Sequence, residues 1–290
     1  MAGSLAEVID LHTHSTVSDG SDPPERIPEL AALVGCSAVA LTDHDSLAGL
    51  PGARRRAEEL GVNLIPGCEI SCRPVGNGGM HVLVYFVEED GGPLAEELVR
   101  LRDDRLQRNV ALAGRMAAIG LPITYQEVVD IAGGEGGVGR PHFATALMNH
   151  GVVESVQEAF DRYLANGGPA YVPKSRLEAV DVARLARDSG GLAVLAHPYS
   201  LDLEPADLAR TVGELAEHGF AGIEAIYGRY SPRQRQDLVT LADRFDLVAS
   251  GGSDHHGTIK PDLTVGTGTG DLKVPDRVLE RLAARRPVAA

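Results

Sequence analysis

The run Val8-Ile9-Asp10-Leu11-His12-Thr13-His14 carries a short β-branched strand straight into two histidines. A strand turns successive side chains to opposite faces, so His12 and His14 fall on the same side. That spacing suits two ligands of one metal. The same event recurs along the chain. Further apolar runs at 38–41, 63–65, 82–87, 192–195, 222–226 and 247–249 make seven with the first. Several lack polar alternation, the pattern of strands buried on both faces. After 38–41 comes Thr42-Asp43-His44-Asp45, and after 63–65 comes Pro66-Gly67-Cys68-Glu69. Ala196-His197-Pro198 follows 192–195, and Ser253-Asp254-His255-His256 follows 247–249. In parallel α/β sheets the carboxyl ends of the strands gather on one face, where ligands bind. Five distant stretches are therefore expected to deliver imidazoles and carboxylates to one place.

Amphipathic segments at 24–34, 46–60, 177–188, 205–218 and 231–245 separate the strands. Such alternation predicts an α/β fold with a largely parallel sheet, and seven strands suggest a barrel. The stretch 101–174 breaks the rhythm, with helical patterns at 94–119, 124–131, 140–150 and 154–165 and no strand. The expected organisation is a discontinuous barrel domain, 1–100 and 175–290, with a small helical insertion domain, 101–174. His81 begins a strand instead of ending one. Gly76-Asn77-Gly78-Gly79 ahead of it is hairpin chemistry. An antiparallel pairing of the third and fourth strands would bring His81 to Glu69, and a parallel one would remove it from the site.

Composition narrows the function. With 27 Lys+Arg against 41 Asp+Glu the net charge is −14, and 43% of residues are hydrophobic. This is a soluble globular composition, with no run near the roughly 20 apolar residues of a membrane span. Residues 1–8 show no basic-then-apolar leader. Three cysteines without CxxC spacing fit a reducing compartment, so a cytoplasmic location is expected. The acidity excludes long duplex nucleic acid held on a broad basic face. It leaves room for an anionic substrate, because bound cations reverse the local field.

The motifs Asp10-Leu11-His12-Thr13-His14-Ser15 with Asp19-Gly20, Leu41-Thr42-Asp43-His44-Asp45, Pro66-Gly67-Cys68-Glu69-Ile70-Ser71, Ala196-His197-Pro198 and Gly252-Ser253-Asp254-His255-His256 resemble those of the PHP (polymerase and histidinol phosphatase) family. The insertion, with Gly139-Arg140-Pro141-His142 and Tyr171-Val172-Pro173-Lys174, is similar to one subgroup. That subgroup holds nucleoside 3′,5′-bisphosphate phosphatases, nucleoside monophosphate phosphatases and 5′-to-3′ exoribonucleases. The resemblance implies a distorted (β/α)7 barrel and three divalent metal ions. It assigns His12, His14, Glu69 and Asp254 to one ion, a shared Glu69 with His81 and His197 to a second, and Asp19, His44 and His256 to a third. Mixed imidazole and carboxylate donors suit Mn²⁺, with Fe²⁺ or Zn²⁺ as alternatives, better than Mg²⁺ or Ca²⁺.

The implied reaction is attack on phosphorus by a hydroxide held between metals, with Glu69, Asp254 and His197 at its centre. The general acid stays open between Asp43, His255 and a metal-held water. Arg140 and Lys174 are expected to hold a substrate phosphate, Arg bidentately, with His142 either beside them or serving as a helix cap. Tyr199, Tyr227 and Tyr230 are candidates to touch a base or ribose. The expected partner is a small phosphorylated molecule, a nucleotide or short oligonucleotide, and the oligomeric state stays open. Two other functions compete: a histidinol-phosphate phosphatase-like enzyme, and a non-catalytic metal-binding module. Gly134-Glu135-Gly136-Gly137-Val138-Gly139 matches GxGxxG, but no strand leads into it, so a dinucleotide site is not expected. The loop 264–270 is expected at the surface, beside the site at most.

Overall fold

A computed structural model describes residues 8–88 and 92–287; residues 1–7, read above for a leader, lie outside them. The chain divides into two units, one formed by residues up to Leu98 and from Arg176, the other by Val99–Ser175. Among the described residues the first unit holds eight strands: β1 (Val8–Asp10), β2 (Cys36–Leu41), β3 (Asn63–Cys72), β4 (Met80–Tyr85), β5 (Leu192–Leu195), β6 (Gly222–Tyr227), β7 (Val248–Gly252) and β8 (Val274–Pro275). They form one sheet in the order β7-β6-β5-β4-β3-β2-β1-β8. The sheet nearly closes on itself: Leu11 N donates to Gly251 O, and Thr13 bridges His255, so β7 returns to β1. Tyr85 on β4 is fully buried and donates to Leu11 O at 2.8 Å. β1 and β4 are not neighbours in the sheet, so this bond crosses the barrel interior.

Most pairings are parallel, but β3–β4, β4–β5 and β8–β1 are antiparallel. The unpredicted β8 is only two residues long and ends in Pro275, which suits an edge where no ladder N–H is needed. β3 runs well beyond 63–65. Its first residues pair with β2, and Gly67–Cys72 turn to β4 instead. Gly67 permits that turn, since a Cβ there would lie 2.5 Å from Val84 O. Glu69 therefore sits inside a strand, not after one.

The helices of this unit are α1 (Arg26–Leu33), α2 (Leu50–Leu60), α7 (Ala179–Asp188), α8 (Pro205–Glu217), α9 (Pro232–Arg244) and α10 (Arg277–Ala283); α3 (Gly92–Ala118) begins in it and continues into the second unit. Local chemistry sets several ends. Ser231 and Gln234 form a capping box on α9, and Gly61 closes α2 at φ +69°. The core is aliphatic, with Ile9, Leu11, Leu83, Val194 and Val248 buried.

The second unit adds α4 (Tyr125–Ala132), α5 (Arg140–Asn149) and α6 (Val156–Ala159), followed by a π-turn over Phe160–Leu164. It has its own core, in which Leu112, Met116, Val128, Phe143, Leu147 and Leu164 are fully buried. The GxGxxG stretch follows helix α4 and contains only a 3₁₀ turn, so no strand–turn–helix cradle forms. The loop 264–270 departs from expectation: Val265 and Gly266 are buried, and Gly266 N donates at 2.7 Å to the buried carboxylate of Asp10. A buried acid needs donors, and this loop supplies one.

Candidate metal centre

The strand ends keep pairing after the regular strands stop, and this fixes the polar side chains they carry. Asp254 N donates to His12 O, His14 N to His255 O, and Glu69 N to Thr42 O; a parallel bridge joins His44 to Glu69. Thr13 Oγ1 donates to Ala40 O, and Thr42 Oγ1 to Thr13 O. The β3–β4 hairpin settles His81. Glu69 opposes Leu83, so His81 lies diagonally across on the same face, and its Nδ1 is 3.0 Å from Glu69 Oε1.

All nine sequence-derived ligand candidates meet. Glu69 is central and 1% exposed. Its Oε2 lies 3.3 Å from His12 Nε2, 3.2 Å from His14 Nε2 and 3.2 Å from His44 Nδ1. Its Oε1 lies 2.9 Å from His197 Nε2. Asp254 Oδ1 faces His12, His14 and His256 at 3.4–3.5 Å. Asp19 Oδ1 is 3.2 Å from His256 Nε2, and Asp19 Oδ2 is 3.6 Å from His44 Nε2. The donor atoms form four overlapping sets: His14, Asp19, His44 and His256; His12, His14 and Asp254; His12, Glu69 and His197; and His44, Glu69 and His81.

Several contacts in this cluster are poor as hydrogen bonds. The His12 and His14 Nε2 atoms face each other at 3.1 Å. His44 Nδ1 and His256 Nε2 are buried and near carboxylates, yet neither makes a hydrogen bond. Buried polar atoms without partners are costly. A converging donor set in which two imidazole nitrogens lack partners fits a set of divalent cations. Without cations, the carboxylates and imidazoles share protons. Burial opposes it, but hydrogen bonds to Asp254 and Glu69 raise His14 to about 9. Burial lowers His44 to about 4. Against its own burial, Glu69 is held well below the usual carboxylate range by His44, His12 and His81. Two candidate ligands occupy the left-handed backbone region, Asp254 at φ +58° and His197 at φ +25°, conformations that cost energy and concentrate at functional sites.

A shell of residues behind the candidate ligands holds them. Glu224 on β6 is completely buried; its Oε1 lies 2.9 Å from His12 Nδ1, and its Oε2 accepts from His197 N at 2.8 Å. Tyr227 Oη and Lys260 Nζ each donate to Asp254 Oδ2 at 2.7 Å, which leaves Oδ1 to the imidazoles. Burial, with the Asp254 charge, pushes the Tyr227 phenol far up and keeps it a donor. Neither Glu224 nor Lys260 is among the sequence-derived candidates. Glu224 had a signal, being a lone carboxylate inside the apolar run 222–226; Lys260 had none. Cys68, beside Glu69, is a buried free thiol.

The centre opens into a cavity of about 600 Å³ lined by seven of the nine candidate ligands and by Tyr199, Tyr227, Tyr230, Arg229, Gln234 and Lys260 among others. Tyr227 Oη gives its proton to Asp254, whereas Tyr230 Oη accepts from Tyr199 N and keeps its own O–H. Asp43 and His255 do not line the cavity. Asp43 is buried and accepts from Ser15 N, Ser15 Oγ and Ser18 Oγ, anchoring the segment that carries Asp19. His255 Nδ1 donates to Leu263 O, and Nε2 faces Asp22.

The phosphate-binding candidates belong to the second unit. Arg140 begins α5, donates to Leu164 O, and lies over the Phe160 and Tyr171 rings. His142 Nδ1 accepts from Gly139 N as part of the α5 cap, and burial lowers its pKa. Lys174 lies in a segment without regular secondary structure before Arg176.

A sequence profile of the PHP domain matches residues 10–168. The chain belongs to the PHP family. Relatives of this PHP protein act on different phosphoesters. A 5′-3′ exoribonuclease Rnm of Salmonella typhimurium is 34% identical over 87% of this chain and 86% of its own length. A phosphoribosyl 1,2-cyclic phosphate 1,2-diphosphodiesterase of Eggerthella lenta is 34% identical, covering 86% and 94%. A 3′,5′-nucleoside bisphosphate phosphatase of Chromobacterium violaceum is 31% identical, covering 86% and 87%. Among the described residues, no helix is long and apolar enough to cross a membrane.

Proposed function

We propose that this PHP protein is a metal-dependent hydrolase of phosphate esters on nucleotides or short RNA. The observation that carries the reading is the convergence of six imidazoles and three carboxylates in one cluster, of which seven line an open cavity. Named relatives with three different substrates share phosphoester hydrolysis, which supports the reaction class more firmly than the substrate. His12, His14, Glu69 and Asp254 would hold one ion, Glu69, His81 and His197 a second, and Asp19, His44 and His256 a third, with Mn²⁺ ahead of Fe²⁺ and Zn²⁺. Bound there, such ions supply Lewis acidity, lowering the pKa of water and neutralising phosphoryl charge. The chain's own part is orientation. Glu224 turns His12 Nε2 inward, while Tyr227 and Lys260 leave Asp254 Oδ1 to the cluster. Arg140 and Lys174 remain proposed contacts for a substrate phosphate; Leu164 O takes only one of the five Arg140 N–H groups.

A second reading, a cyclic phosphodiesterase, is favoured by the Eggerthella relative. One panel separates the readings: a nucleoside 3′,5′-bisphosphate, AMP, histidinol phosphate, 5′-phosphorylated short RNA and a ribose 1,2-cyclic phosphate, each with Mn²⁺, Fe²⁺ or Zn²⁺. Turnover of the bisphosphate or RNA well above the other substrates supports the proposal. Preference for the cyclic diester or histidinol phosphate reassigns the substrate. Hydrolysis of none of them, with metals bound, leaves a non-catalytic module.

A further inference from the structure

Resting on the phosphoesterase reading, we propose that Lys260 is a side-chain cation that binds the scissile phosphate of the substrate. Two side chains lining the cavity carry a fixed positive charge, Arg229 and Lys260. The charge of Arg229 is matched by a bidentate pair with Asp262, Nε to Oδ2 and Nη2 to Oδ1, both 2.8 Å. Lys260 is different. Its side chain is 28% exposed, and its ammonium donates to Asp254 Oδ2. An ammonium has three N–H donors, so two remain for the cavity it lines. Asp254 does not depend on Lys260 alone, since Tyr227 Oη donates to the same oxygen. The far oxygen of that carboxylate lies 3.4–3.5 Å from three imidazole nitrogens of the cluster. One carboxylate therefore separates the ammonium from the point where ligands converge, and an anion seated there is within its reach. A compact, rotatable point charge suits a tetrahedral phosphate that presents oxygens in several directions. Lys260 sits just after the 3₁₀ turn Gly257–Ile259 that follows His256, so the backbone that places the ligand also places the cation.

The test uses metal-loaded full-length protein and inorganic phosphate as the probe. Lys260→Gln keeps an N–H donor for Asp254 and removes the charge, whereas Lys260→Arg keeps the charge. The expected result is unchanged metal content in both variants and phosphate binding by calorimetry weakened about tenfold to a hundredfold in K260Q. K260R should recover most of the loss, and KM for the best substrate should rise in K260Q. Phosphate affinity within twofold of wild type in K260Q overturns the proposal. Loss of metal from K260Q also overturns it, by assigning Lys260 to holding Asp254. If wild-type protein hydrolyses no phosphoester, the function assigned above fails, while the phosphate isotherms still decide Lys260.

Discussion

Glu224 sets the orientation of two parts of the centre at once. One oxygen meets His12 Nδ1 and fixes which ring nitrogen faces inward; the other accepts from the backbone of His197, a residue in the left-handed region. Carboxylate partners of ligating imidazoles raise their basicity and hold their tautomer. Glu224→Gln presents an amide N–H to one of two donors and must lose one bond. We expect metal affinity to fall about 10- to 100-fold, with the far-UV circular dichroism unchanged. A metal titration matching wild type would remove Glu224 from the centre. Period-2 spacing and strand-end placement are local signals that made His12, His14, His44, His197, Asp254 and His256 legible as candidates, whereas Asp19 rested on the family resemblance and Glu69 and His81 lie within strands. Glu224 was not picked out because its role needs β6 beside β5 and across from β1. Lys260 and the engagement of Asp43 and His255 depend on loop geometry, which no local pattern encodes.

At the scale of elements, the parallel α/β plan and nearly every helix follow from hydrophobic periodicity, and the misses have a common cause. The extension of β3, the antiparallel entry of β4 and the edge strand β8 depend on which neighbour a backbone meets. A single sequence carries the hairpin glycines, but not the partner that they allow. Gly252, at the end of β7, shows the same limit. A Cβ there would lie 2.4 Å from His12 Cβ and 2.5 Å from His12 N. The seam between β7 and β1 closes only because position 252 has no side chain. Gly252→Ala is expected to cost about 1–3 kcal/mol, read as a lower urea midpoint, and to weaken metal binding by displacing His12. A midpoint equal to wild type would mean that the seam relaxes freely.

Across the whole molecule, charge is divided unevenly. Val99–Ser175 carries eight Lys or Arg and eight Asp or Glu, so all of the −14 belongs to the barrel unit. Ligand carboxylates concentrate part of that charge in the buried centre, and Glu224 adds one more there. Cations that bind only the folded barrel stabilise it by mass action, about 4 kcal/mol at a thousandfold excess over Kd. Chelation should therefore lower the melting transition of the barrel unit and leave that of the second unit, with its separate core, in place. Without metal, pH should matter in both directions. His14, raised to about 9 in the fold from an ordinary 6.5, contributes stability that is complete below 6.5 and lost as pH rises through 9. His44, lowered to about 4, contributes stability that is present above 6.5 and lost as pH falls through 4. Chelated protein should thus melt highest near pH 6.5. The metal-loaded protein should gain on it as pH rises to 9, because binding displaces the His14 proton. Calorimetric scans from pH 4 to 9, with and without Mn²⁺, read both effects. A metal-induced shift that does not grow between pH 6.5 and 9 would show that His14 gives up no proton to the cation.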